Sequence, residues 1–186
     1  MDDQKAIKRL KRGDINGLSA LVERYQVRAI RTAYLITQDA ALAEDVVQEA
    51  FVNVYHSIHS FDTRRPFAPW FIRAVVNRAI KASQRQRAAV PLDGLDDDDL
   101  DYADYLTDPE PGPDSRVENA EDEEAVWEAL GTLSAGRRAV IVLRFYLEMS
   151  EAEIAEQLNI PVGTVKSRLH SAKHQLRERL VQQEEV

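Results

Sequence analysis

The sequence predicts an all-α chain: two small helical domains, residues 1–90 and 118–186, joined by a flexible acidic linker over 91–117. Three observations point there. Apolar residues recur at helical spacing through both flanks, and no alternating strand pattern occurs. Pro and Gly are sparse before residue 90 and gather late in the middle segment, PLDGLDDDDLDYADYLTDPEPGPD. Charge is segregated: residues 93–124 hold 15 Asp/Glu against a single base, Arg116, which leaves 17 acids and 23 bases elsewhere. The overall charge of −8 therefore hides a net +6 outside that segment, an asymmetry that suits a polyanionic partner.

Taken in order, a short basic helix is predicted from Gln4 to Lys11. Asp14 is placed to cap a second helix reaching Ile36, with Leu18, Leu21, Val22, Tyr25, Ala29, Ile30, Ala33 and Tyr34 as its apolar stripe. Asp39 is placed to cap a third helix ending near Ile58. There Val46, Ala50, Val54 and Ile58 read as core. Asp45, Gln48, Glu49 and Val52 form a second stripe on a helix that holds neither Lys nor Arg. An acidic face with an apolar member suits a partner surface, and equally an ordinary solvated face. SFDTRRP then breaks the helical pattern, and a fourth helix is predicted from Phe67 to Arg87.

This fourth segment reverses the charge. Residues 63–92 contain no carboxylate but carry Arg64, Arg65, Arg73, Arg78, Lys81, Arg85 and Arg87. Asn77 lies four residues from both Arg73 and Lys81, so the three share one helix face. Phe61, Phe67, Trp70 and Phe71 crowd the same loop and helix start. Cations neutralise phosphates and aromatic rings stack on unpaired bases, so this mixture fits single-stranded nucleic acid. At least one of Trp70 and Phe71 is expected in the core.

The middle segment is too acidic to fold alone, though its scattered Leu92, Leu95, Leu100, Tyr102, Tyr105 and Leu106 suggest that it docks on something. Beyond it, helices are predicted over 118–131, 135–147, 151–158 and 162–182. Ser150 and Glu153 have the spacing of a capping box. The short helix after them would bury Ile154, Ala155 and Leu158. Asn159 tolerates the left-handed turn, and Pro161 suits the first turn of the next helix. That helix would bury Val165, Leu169, Ala172 and Leu176 and present Thr164, Lys166, Ser167, Arg168, His170, Ser171, Lys173 and His174. A tight turn between two helices, the second one basic, makes a helix-turn-helix. His170 and His174 stand four apart, as do many zinc ligands, but no third ligand accompanies them, and His56 and His59 are equally isolated. No metal and no cofactor are expected.

The chain has no Cys, which excludes disulfides, thiolate metal sites and a thiol switch of its own. MDDQKAIKRLKRGD has no apolar core of a signal peptide, and no apolar run nears the roughly 20 residues of a membrane span, so a cytoplasmic protein is expected. No carboxylate cluster, nucleophile motif or Gly-rich phosphate loop argues for an enzyme.

Four segments in order resemble the extracytoplasmic-function (ECF) sigma factors of RNA polymerase. Gly13-Asp14 with Leu18, Leu21 and Tyr25 resembles the start of region 2. AEDVVQEAFVNVY (43–55) resembles the core-polymerase-binding helix. SFDTRRPFAPWFIRAVVNRAIK (60–81) resembles the part that opens and reads the minus-10 element, and residues 133–180 resemble region 4, which reads the minus-35 element. The resemblance implies a transcription initiation factor, not an enzyme. Asp45, Gln48, Glu49 and Val52 would face core RNA polymerase. Phe61, Arg64, Arg65, Phe67, Trp70, Arg73, Asn77 and Lys81 would meet the minus-10 DNA, duplex and single-stranded. Thr164, Lys166, Ser167, Arg168, His170, Ser171 and Lys173 would meet the minus-35 DNA. It also implies an anti-sigma factor as partner, and a linker threading the polymerase cleft. The competing reading is a stand-alone helix-turn-helix regulator that binds duplex DNA as a dimer.

Overall fold

The computed structural model describes residues 2–89 and 120–184, and the segment predicted as a linker lies outside them. In chain order the helices are α1 (Asp3–Lys11), α2 (Asn16–Thr37), α3 (Ala40–Ser57), α4 (Phe67–Ala89), α5 (Ala120–Thr132), α6 (Ala135–Ile141), α7 (Glu151–Leu158) and α8 (Val162–Glu184). No strand occurs among the described residues, as the apolar periodicity predicts.

Helices α1 to α4 pack into one bundle. α1 turns Ala6, Ile7 and Leu10 inward and lies unusually close to α2 at Gly17. A Cβ there would stand 2.3 Å from the Ala6 carbonyl oxygen and 2.7 Å from the Leu10 nitrogen, so only glycine fits. α2 ends where Gln38 turns left-handed, and Asp39 caps α3 by accepting from the Leu42 N–H at 2.9 Å. That bond, then one from Gln86, holds the Asp39 carboxyl below the usual range. A 3₁₀ turn, Ile58–Ser60, closes α3. Predicted core residues Val46, Ala50, Val54 and Ile58 are all buried. An aromatic cluster fills the bundle's end: Phe71 lies 4.5 Å from Phe51 and stacks on Phe67 at 5.6 Å between ring centres.

Asp14 behaves differently from its prediction. Ile15 stands at the cap position of α2, and Asp14 instead accepts from the Asn16 N–H at 3.0 Å and from Arg9 at 2.7 Å. It forms a turn of the kind Asp makes with an amide two residues on, and the Arg9 bond, foremost, keeps its carboxyl below the usual range.

The second bundle, α5 to α8, is centred on Leu143, Ile154, Val165, Leu169 and Ala172. The helix predicted over 135–147 changes pitch: Val142–Tyr146 winds as a π turn, closed by the Leu147 N–H on the Val142 carbonyl at 3.0 Å. The capping box forms, and Asn159 takes the left-handed conformation at φ 57°. Gln157 is buried on α7 whereas Leu158 is only half-buried. Pro161 stands just before α8, and its carbonyl accepts from the Val165 N–H at 3.2 Å.

The two bundles are docked. Helices α2 and α4 meet α6, and α4 also meets α7. Tyr34 stacks on Trp127 with ring centres 4.4 Å apart. Arg87 donates to the Leu133 carbonyl at 3.0 Å. Arg138, only 2% exposed, donates to Ser83 Oγ at 3.2 Å and to the Leu130 and Gly131 carbonyls at 3.4 Å each. Its Nε has no partner. Burial, and then the nearby charge of Arg87, lower the Arg138 guanidinium to about 10.

Candidate nucleic-acid interface

The loop between the 3₁₀ turn and α4 frames a cavity of about 240 Å³ lined by Ser60, Phe61, Asp62, Arg65 and Trp70. Phe61 is buried and rests against the half-buried Trp70, ring centres 4.8 Å apart. Arg64 and Arg65 are exposed on the loop. Arg64 bonds both Asp62 oxygens at 3.0 and 3.1 Å through Nε, which holds that carboxyl below its usual range. On α4, Arg73 and Asn77 are half-buried and Lys81 is exposed, all on one face.

Two of the aromatic residues lie in the core, Phe71 as the sequence leads one to expect of it or Trp70. Phe71 is fully buried, and so is Phe67 at 2% exposure, packed among Tyr25, Phe61, Trp70 and Phe71. Phe67 lies against Phe61 and Trp70, and it also lines a neighbouring pocket with Thr63, Arg64 and Arg65. Ser60 and Asp62, which line the cavity, have no periodic or charge signal that singles them out in the sequence.

The stripe Asp45, Gln48, Glu49 and Val52 lies exposed along α3, with Val52 55% exposed. Tyr55, one turn on and 47% exposed, extends its apolar part. Continuing the spacing from Val52 by three residues would have found it.

On α8, Lys166, His170 and Lys173 are exposed, while Thr164, Ser167, Arg168 and Ser171 are half-buried. Val165, Leu169 and Ala172 hold the opposite side in the core. Lys166 pairs with Glu151 across the turn at 3.9 Å, and the Ser167 hydroxyl donates to the Thr164 carbonyl at 3.1 Å. His174 contacts Glu178 at 3.3 Å. Among the described residues no three His, Asp or Glu gather as metal ligands would.

The structure thus gathers the predicted residues into three surfaces: a loop-and-α4 site, an α3 face and an α8 face. Residues 21–89 match the family Sigma-70 region 2, and residues 123–176 match Sigma-70, region 4. The chain is 33% identical to the ECF RNA polymerase sigma factor SigW of Bacillus subtilis (strain 168), over 95% of this chain and 96% of that one. The chain belongs to the ECF sigma factors. It is 31% identical to the ECF RNA polymerase sigma-E factor of Haemophilus influenzae over 97% of this chain and 96% of the relative. Its fold resembles CnrH, solved in complex with the cytosolic domain of CnrY, at TM-score 0.65 and 26% identity over 96% of both chains. This sigma factor is a transcription initiation factor, a reading favoured over a stand-alone dimeric regulator. No described helix of it is long and apolar enough to cross a membrane.

Proposed function

We propose that the three surfaces divide the work of initiation. The α3 stripe Asp45, Gln48, Glu49 and Val52 docks on core RNA polymerase. The loop and α4 capture melted minus-10 DNA, with Trp70 and Phe61 walling the base site, Arg65 at its rim, and Arg64, Arg73, Asn77 and Lys81 along the strand. The α8 face reads the minus-35 duplex. Its exposed Lys166, His170 and Lys173 lead, with Thr164, Ser167, Arg168 and Ser171 beside them. The division runs at residues 1–90 for the first two tasks and 118–186 for the third, with 91–117 as the connecting linker. The protein supplies binding energy and base extrusion in the cytoplasm, and the polymerase supplies the chemistry. An anti-sigma partner completes the reading, supported by the CnrH relative being bound by the cytosolic domain of CnrY.

The observation that carries this reading is the cavity beside Trp70. Its volume of about 240 Å³ is below the ~300–1,000 Å³ of sites for drug-sized ligands, and its lining sets the rings of Phe61 and Trp70 beside Arg65, Asp62 and Ser60. That suits one unpaired base rather than a cofactor.

The deciding experiment mixes the purified protein with core polymerase and maps transcription starts on genomic DNA. The protein alone is expected to bind DNA poorly and the mixture to initiate at specific starts. Asp45→Ala with Glu49→Ala is expected to weaken the complex with core about tenfold or more, in line with losing two surface contacts at ~1 kcal/mol or so each. Full affinity for core in that double variant removes the α3 assignment.

A further inference from the structure

We infer that Lys11, the last residue of α1, is a positioning residue for the base site: it fixes the loop that forms the cavity without touching DNA itself. The inference rests on the base-capture reading above. The Lys11 ammonium donates to the Phe61 carbonyl at 2.7 Å and lies 3.4 Å from the His59 carbonyl, partners 50 and 48 residues further along the chain. These carbonyls belong to the end of the α3–3₁₀ unit, where backbone oxygens lack helical partners and the helix dipole is negative. A cation is the complement of that end.

The bonded peptide is also part of the cavity. Ser60, Phe61 and Asp62 line it, and the two carbonyls bonded by Lys11 flank Ser60. Phe61 in turn supports Trp70 through ring contact at 4.8 Å. Fixing the Phe61 backbone therefore fixes both the rim of the cavity and the ring against which Trp70 leans.

Lys11 can act as an anchor because α1 is itself anchored. Gly17 admits α1 to backbone contact with α2. Asp3, at the other end of α1, receives bonds from Arg24 and from the Tyr25 hydroxyl. Arg9 ties the helix to Asp14. The path runs from α2 through α1 to the loop, with Lys11 as its last link. Two of the three ammonium hydrogens are directed at carbonyls, so the charge is committed to the loop rather than offered to a phosphate.

The test uses the full chain bound to core polymerase, with decamers of dA, dC, dG or dT and a decamer of abasic sugar-phosphate as probes. The best homodecamer is expected to bind roughly tenfold more tightly than the abasic strand, the scale of base stacking. Lys11→Met is expected to cut that ratio at least about threefold while leaving abasic binding and core affinity within about twofold, and Lys11→Arg to restore it, since a guanidinium can also serve two carbonyls. Lys11→Gln, which keeps a shorter donor, serves if the Met variant melts early. An unchanged ratio in both variants overturns the assignment. So does a loss of abasic binding, which would make Lys11 a phosphate contact. Trp70→Ala separates the two readings. If it abolishes the ratio while the Lys11 variants keep it, only Lys11 is misassigned. If it too keeps the ratio, or the unaltered protein shows none, the base site falls and the Lys11 role falls with it.

Discussion

At the scale of single residues, the interactions that build the proposed base site join positions far apart in sequence. Tyr25 is an example: its ring packs 5.3 Å from Phe67, and its hydroxyl donates to Asp3. Burial first, then the bond to the Asp3 carboxylate, push the phenol up to about 12. An unfolded tyrosine ionises near 10. Below about pH 10 both states keep the proton and stability is unaffected; between 10 and 12 the unfolded state alone releases it and stability falls. Because the ring is only partly buried, screening cuts this to something on the order of 1 kcal/mol. Urea unfolding at pH 9 and pH 11 should show a smaller alkaline loss in Tyr25→Phe than in the unaltered protein, since the other titrating groups are common to both. Equal losses would mean that neither burial nor the Asp3 bond raises the phenol in solution. The apolar spacing made Tyr25 legible as a core residue. It could not show the Asp3 bond, because a pairing across 22 residues leaves no periodic trace. Lys11 and Phe61 are hidden for the same reason. Gly17 is hidden because only a backbone approach from α1 explains why a side chain is excluded there.

At the scale of helices, the sequence was most legible where local chemistry decides. Asp39, Ser150 with Glu153, and Asn159 all act where their side chains predict, because a cap depends on a few consecutive residues. Asp14 shows the limit. Its carboxylate had two possible amides within reach and an arginine five residues back, and the turn won over the cap. The π turn at Val142–Tyr146 was not legible either, since one extra residue in a turn leaves the apolar pattern nearly intact. The α7 cap bears on the proposed minus-35 face because α7 packs directly against α8. Ser150 Oγ accepts from the Glu153 N–H at 3.3 Å, and Glu153 Oε2 accepts from the Ser150 N–H at 2.8 Å. Replacing such a cap by Ala costs about 0.5–2 kcal/mol. Ser150→Ala should therefore speed hydrogen exchange at the first amides of α7 by about fivefold, and weaken minus-35 duplex binding by a similar factor, with α4 exchange unchanged. Unaltered exchange at Glu153 would show that packing of Ile154 alone sets this helix end.

At the scale of the whole molecule, the docked arrangement conflicts with the span that the two proposed DNA-reading faces would cover. Minus-10 and minus-35 elements lie about 25 base pairs apart, or about 85 Å at 3.4 Å per step. A compact chain of 186 residues has a radius of gyration of only about 16 Å. The thirty residues between Ala89 and Ala120 are enough chain for that span, about 100 Å at full extension. If the two faces act as proposed, the docked contacts give way. Their chemistry makes that feasible. Arg138 is buried against Ser83 with one nitrogen unpartnered, Arg87 nearby, and no carboxylate beside it among the described residues. A buried guanidinium without a counter-ion makes docking costly, and release to solvent relieves it. The Tyr34–Trp127 stack opposes release, and such pairs contribute about 0.5–1.5 kcal/mol beyond burial. Trp127→Ala is thus expected to shift the free protein toward the open form by about fivefold and to tighten binding to core by up to the same factor, because less of the protein must first undock. With no native cysteine in the chain, single cysteines at Ser19 and Gln182 can carry a fluorescent pair. Energy transfer should be high in the free protein, lower in free Trp127→Ala, and low in both once core polymerase and promoter DNA are bound. Equal transfer in the free and promoter-bound states of the unaltered protein would show that the docked contacts persist through initiation, and that the minus-35 face is reached some other way.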